Sequence, residues 1–186
     1  MTKNKTLQGN SKQLILCSLF AALTAICSMI SIPLPFTPIP INLATLSVFL
    51  AGGLLGSKYG AISQFIYVLL GAIGLPIFHN FTGGFGILVG PTGGYIVGYI
   101  AGAWVAGFVI ERWLPSNKGK LQYILLCFAL LMGLFSCYLL GTVWFMKVSG
   151  ANLVTALVSC VVPFLIGDTL KILAGSFLIQ RLKQFV

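Results

Sequence analysis

The sequence has almost no acid. Of 186 residues only Glu111 and Asp168 are acidic, against eleven Lys and Arg, and charged residues of both signs make up 7% of the chain. A water-soluble domain carries roughly 25% charged residues, so a soluble enzyme or soluble binding module is excluded. Histidine is also scarce: His79 is the only one. The cysteines Cys17, Cys27, Cys127, Cys137 and Cys160 lie apart in apolar runs, with no CxxC pair and no Cys/His cluster. A zinc site needs four close ligands of these kinds, so no metal site is expected, and the thiols read as small buried hydrophobes. No GxxxxGK[ST] stretch occurs, which excludes an ATP-hydrolysing loop of that type. No nucleophile–base pair stands out, so acyl or phosphoryl transfer has no catalytic parts.

What is abundant is apolar: 58% of the residues are hydrophobic and mean hydropathy is +1.04. The chain reads as a multi-pass integral membrane protein. A span needs about 20 mostly apolar residues, somewhat fewer when neighbours shield its ends. Six candidates follow, over 13–31, 42–57, 59–75, 92–113, 121–146 and 152–180. The second and third are short and separated only by Ser57 and Lys58, so they are either two short helices with a tight turn or a partly re-entrant pair. The expected fold is an all-α bundle of six transmembrane helices forming a single membrane domain over 1–186. No cleavable signal peptide is expected, because the first apolar run ends in a proline-rich loop and not at a small-residue cleavage site.

The net charge of +9 could suggest nucleic acid, but the basic residues form no stripe. They punctuate the ends of apolar runs, which suits anionic lipid headgroups; no nucleic-acid partner is expected. With the N-terminus in the cytoplasm, Lys3, Lys5, Lys12, Lys58, Arg112, Lys118, Lys120, Arg181 and Lys183 fall inside and only Lys147 outside. The positive-inside rule therefore places both termini in the cytoplasm, with 1–12 as a cytoplasmic tail and the plasma membrane as the location.

Two loops then lie outside. Residues 31–41 carry Pro33, Pro35, Pro38 and Pro40 around Phe36, without charge. Such a proline density forbids a continuing helix and favours an extended, stiff chain. It reads as a lid over an apolar site, or as a plain connector. Residues 75–91 hold His79, Asn80, Phe81 and four glycines, again without Lys, Arg, Asp or Glu. A neutral, glycine-rich loop of this length suits recognition, and Asn80 offers both a donor and an acceptor. Small residues recur every fourth position in three places, one of them Gly52, Gly56 and Gly60 around the second span. Cys17, Ala21 and Ala25 mark the first span, and Gly90, Gly94, Gly98, Gly102 and Ala106 mark the fourth. This spacing lets helices approach closely. The fourth-span stripe reads as packing within the bundle; that of the first span fits either internal packing or docking to a separate subunit. Tyr95 and Tyr99 follow two of those glycines and can face an adjacent cavity.

The most informative stretch is Gly167-Asp168-Thr169-Leu170-Lys171 in the last span. About 15 Å of helix separates Lys171 from Arg181, which puts the charged pair near mid-membrane or in its outer half. Ionisable groups at that depth are costly and face a cavity or a partner. Asp168 and Lys171 share one helical face. They are either a mutual ion pair gluing helices or the polar head of a buried ligand site.

Three segments together resemble the BioY family, the biotin-binding S component of energy-coupling factor (ECF) vitamin transporters. These are Pro33-Leu34-Pro35-Phe36-Thr37-Pro38-Ile39-Pro40, Gly90-Pro91-Thr92-Gly93-Gly94-Tyr95 and the Gly167–Lys171 stretch. The resemblance implies a subunit that captures biotin from outside with high affinity, works with a membrane T subunit and two ATPases, and carries no cofactor of its own. It implies substrate contacts at Asp168, Lys171, Asn80, Tyr95 and Phe36, and docking to the T subunit through Ala21 and Ala25. The chain departs from the family in the apolar start of the second span, where a glutamine is expected near Ala44. The residues alone also allow a self-sufficient, proton-coupled secondary transporter with Asp168 as the coupling group, although no paired internal repeat supports it.

Overall fold

In the computed structural model the backbone is described for residues 3–35, 37–114 and 119–184, and side chains from residue 11 onward. Phe36 and Lys118 lie outside the described residues. Helix α1 (Lys3–Met29) is followed by an antiparallel hairpin of β1 (Ser31–Leu34) and β2 (Thr37–Asn42), then α2 (Ala44–Ala72). A short α3 (Phe85–Val89) precedes the long α4 (Gly93–Trp113) and α5 (Lys120–Ser149). The chain ends in α6 (Leu153–Cys160) and α7 (Leu165–Leu182). Among the described residues four helical stretches are long and apolar enough to cross a membrane: 11–29, α4, α5 and 153–182.

The remaining two spans are the halves of α2. At Gly56 the backbone takes φ 80°, ψ −177°, a conformation open essentially to glycine alone. Beyond it the chain doubles back. A methyl group built on Gly60 would lie 2.9 Å from the Cα of Gly52, whereas in a straight helix those residues are about 12 Å apart. The second and third predicted spans are thus two short helices joined at one glycine. The first half can be this short because it is shielded: residues 47–53 are all buried in the bundle. Glu111, at the end of α4, secures the turn by accepting from the Ser57 N–H at 2.8 Å and the Ser57 hydroxyl at 2.7 Å. A carboxylate there satisfies an orphan donor at the start of the second half and favours its helix dipole.

The glycine stripe of α4 packs as its spacing predicts. Gly98 and Gly102 sit against the backbone of α5, where added methyls would come within 3.1 Å of the Cys137 oxygen and 3.2 Å of the Gly133 oxygen. Along α1, Thr24 meets Ser47 at 2.8 Å and Gln64 at 3.1 Å, and the Tyr67 hydroxyl donates to Ser28 at 3.0 Å. These bonds pin α1 to both halves of α2, since polar atoms in a lipid-embedded core need partners from other helices. The large side chains left exposed, such as Leu131, Phe135, Leu139, Ile166 and Leu170, form the lipid-facing surface.

Three details differ from the sequence reading. Ser31–Leu34 and Thr37–Asn42 pair as a β-ribbon, with a register shift between Ile32 and Leu34 at Pro33, which has no N–H to offer the ladder. Residues 75–91 are not plain loop but hold a 3-10 turn at His79–Phe81 and helix α3. The last span, expected as one helix over 152–180, breaks at Pro163 into α6 and α7, joined by the 3-10 turn Val162–Phe164.

Candidate functional site

The hairpin closes one end of the bundle. Beneath it lies a hollow of about 50 Å³, below the roughly 300–1,000 Å³ of most small-molecule pockets. Strand β2 contributes Ile39, Pro40 and Asn42, α4 contributes Tyr95 and Tyr99, and the floor holds Asp168 and Lys171. Each element delivers its residue for a local reason. The small stripe of α4 sits against α5, and Tyr95 and Tyr99 adjoin two of its glycines. The helix break at Val162–Phe164 starts α7 afresh, so Asp168 lies in its first turn, where a carboxylate is favoured by the helix dipole.

Asp168 and Lys171 are 3% and 8% exposed and form an ion pair of 2.8 Å within one helix. A pair inside one helix cannot join two helices by itself. Its links to other helices run through Thr45 of α2 and Tyr138 of α5. Thr45 donates to Asp168 Oδ1 at 3.1 Å and accepts from Lys171 Nζ at 3.1 Å. The Tyr138 hydroxyl donates to Asp168 Oδ2 at 2.5 Å. A carboxylate oxygen accepts about two bonds and an ammonium donates three. Among the described residues Oδ1 is therefore filled, Oδ2 retains one acceptor position, and Lys171 retains one N–H. A neutral pair with one donor and one acceptor to spare, walled by tyrosines and aliphatic carbon, suits a ligand with an apolar body and a polar edge that both gives and takes hydrogen bonds.

Of the predicted site residues, Asp168, Lys171 and Tyr95 meet in this hollow. Tyr95 also bonds Thr142 at 3.1 Å. Asn80 is not among the lining residues. It is exposed, with φ 55°, and its side chain accepts from the Ser31 hydroxyl at 2.9 Å, tying the second loop to the hairpin. Phe36 is outside the described residues. Ala21 is buried in this chain's own core at 3% exposure, and Ala25 is partly buried against the same cluster, so the four-residue stripe of α1 packs inward. Thr45, Asn42, Phe164 and Tyr138 also line the hollow and are not among the site residues predicted from the sequence. Thr45 stands directly after Ala44, where a polar contact was sought. Tyr138 adjoins Cys137 in a helix whose buried side carries Gly133 and Gly141. Trp144 donates its indole N–H to the Gly90 oxygen at 3.0 Å and so fastens the second loop to α5.

His79 closes the loop side of this end. Its Nε2 lies 3.4 Å from the Thr92 hydroxyl, and Nδ1 is buried without a partner among the described residues. Burial lowers its pKa below the ordinary 6.5, because a charged imidazolium there would lose its hydration.

Known proteins are similar to this chain, several of them along nearly their whole length. A protein of Thermotoga maritima named biotin transporter BioY is 39% identical over 93% of this chain and 96% of its own. A Pyrococcus horikoshii protein named probable biotin transporter BioY is 36% identical over 93% of this chain and 97% of its own. Among solved structures, the S component for biotin from an ECF-type ABC transporter superposes with a TM-score of 0.85 at 30% identity, covering 100% of this chain and 96% of that one. The model of the BioY family matches residues 1–186, and the chain belongs to the BioY family.

Proposed function

We propose that this chain is the biotin-binding S component of an ECF-type uptake transporter, a membrane subunit that captures biotin at the outer face of the plasma membrane. The observation that carries the reading is the meeting of the Asp168–Lys171 pair with Tyr95, Tyr99 and Tyr138 under the proline hairpin. Biotin has an apolar bicyclic body, a ureido edge with two N–H donors and a carbonyl, and a carboxylate tail. The open acceptor position on Asp168 Oδ2 suits a ureido N–H. The remaining N–H of Lys171 suits an acceptor of the ligand, the ureido carbonyl or the tail. Thr45 and Tyr138 hold the two charged groups in place. Asn80 acts on the hairpin through Ser31 in this closed arrangement.

Transport requires partners in this reading. A membrane T subunit and two ATPases supply the energy, and the chain needs no cofactor. The T subunit docks on the lipid-facing side of α1 beside Ala25, where Ala22 and Ile26 are exposed. Orientation follows the basic residues, with the hairpin end outside and both termini in the cytoplasm.

Calorimetric titration of biotin onto the purified chain tests the binding role. Wild type binds one biotin per chain, and Asp168→Asn weakens binding by about tenfold or more. Hydrogen bonds to charged groups contribute about 1.5–3 kcal/mol, and 1.4 kcal/mol corresponds to tenfold. Equal affinity in the two proteins removes Asp168 from the site, and no binding by folded wild type refutes the function.

A further inference from the structure

A second cavity lies at the opposite end of the bundle from the hairpin, and nothing in the biotin reading uses it. It is an open groove of about 620 Å³ between the start of α5 and the end of α7, lined by Lys120, Tyr123, Ile124, Gln180 and Arg181 among others. Two features set its chemistry. Among the described residues its charged lining is wholly positive: Lys120 and Arg181 border it, whereas Glu111 is bonded to Ser57 and Asp168 to Lys171. Its membrane side is apolar, since Leu121 and Ile124 are 63% and 61% exposed and Phe177, on which the Arg181 guanidinium rests at 5.4 Å, is 52% exposed. The walls are also held in a fixed relation. Gln180 donates to Gln122 at 3.1 Å, and the Tyr123 hydroxyl donates to the Leu173 oxygen at 3.1 Å. These bonds join α5 to α7 across the groove.

We infer that this groove binds one anionic phospholipid. The phosphodiester lies between Lys120 and Arg181, where a planar guanidinium and an ammonium together match phosphate oxygens. The acyl chains run along Ile124 and Phe177 toward mid-membrane. A soluble phosphate would satisfy the cations but leave the apolar flank without a purpose, so the lipid is the occupant the surface fits. This end also carries Lys58 and Arg112 beside the α2 turn, and a cation-rich end of a membrane protein meets the leaflet whose anionic headgroups attract it.

Native mass spectrometry of the full chain released from detergent tests this, with phosphatidylglycerol and phosphatidylcholine offered at equal concentration. The expected result is one phosphatidylglycerol retained per chain under activation that strips phosphatidylcholine. The Lys120→Gln/Arg181→Gln double variant should retain several-fold less of it, while Lys147→Gln at the other end of α5 changes nothing. Equal retention of the two lipids, or retention untouched by the double variant, overturns the proposal. Displacement of the lipid by millimolar inorganic phosphate also overturns it, by reassigning the groove to a soluble anion. An independent measurement needs no variant: phosphatidylglycerol should raise the wild-type unfolding midpoint in detergent more than phosphatidylcholine does, and equal midpoints count against the site.

Discussion

Tyr138 and Thr45 show how much of the site depends on groups that need not touch a ligand. The Tyr138 hydroxyl fixes one carboxylate oxygen of Asp168, and Thr45 bridges the other to Lys171. Removing either frees the charged pair to tilt and leaves a charged group short of a partner, at a cost of about 1–3 kcal/mol. Tyr138→Phe is expected to weaken biotin binding by about tenfold, and Thr45→Val by a similar factor, in calorimetric titration. Thr45→Ser, which keeps the hydroxyl, should bind nearly as wild type. His79 yields a pH prediction. Because burial holds its pKa below 6.5, the folded loop binds a proton less readily than the unfolded chain does. The loop's contribution to stability is therefore complete above about pH 6.5 and declines as pH falls below it. The unfolding midpoint should drop between pH 7.5 and 5.5, and His79→Gln should flatten that part of the profile. Asp168 and Lys171 were legible in the sequence because a charge inside an apolar run is conspicuous. Thr45 and Tyr138 were not, because hydroxyls are common in membrane helices and only the fold says which of them meet a carboxylate.

Among the elements, α2 departs most from a simple helix. Its reversal depends on Gly56, where any side chain would be strained and a methyl group would meet the Glu111 carboxylate. Gly56→Ala should cost about 1–3 kcal/mol and lower the unfolding midpoint by several degrees. Gly167→Ala is a useful contrast, since a methyl group there meets nothing within 4 Å and the residue is helical. It should leave stability unchanged or raise it by up to about 1 kcal/mol. The two short spans were readable from the length of the apolar run around Lys58. That Glu111 caps the turn was not, because the partners lie 54 residues apart in the chain. The β-ribbon was also hidden. Four prolines announced an extended segment, but strand pairing such as Ser31 with Asn42 arises from the distance that α1 and α2 leave between their ends. The broken last helix was half visible, since Pro163 marks the place but not the 3-10 turn that resets the helix there.

At the scale of the whole molecule, the hydropathy pattern already carried the six-helix arrangement, because the bilayer sets span length and the loops are short. The packing of α4 was carried by its glycines. Orientation rests on charge asymmetry and can be checked directly. In intact cells and a cysteine-free background, Lys147→Cys should react with a membrane-impermeant maleimide, and Lys58→Cys should react only after lysis. The reverse pattern would invert the topology and turn the hairpin end inward. The small residues of α1 mattered at this scale too. Their spacing predicted close approach, and within this chain Ala21 is buried while Ala25 is only partly covered.

The hollow under the hairpin is too small to admit a bicyclic guest while the ribbon stays down, and this constrains timing more than strength. Entry must wait for the ribbon to lift away from α1 and α6, against which it packs, so association should run slower than the ~10⁵–10⁷ M⁻¹s⁻¹ of unobstructed docking. The same obstruction holds back departure, so tight retention follows from a long residence time even when capture is unhurried.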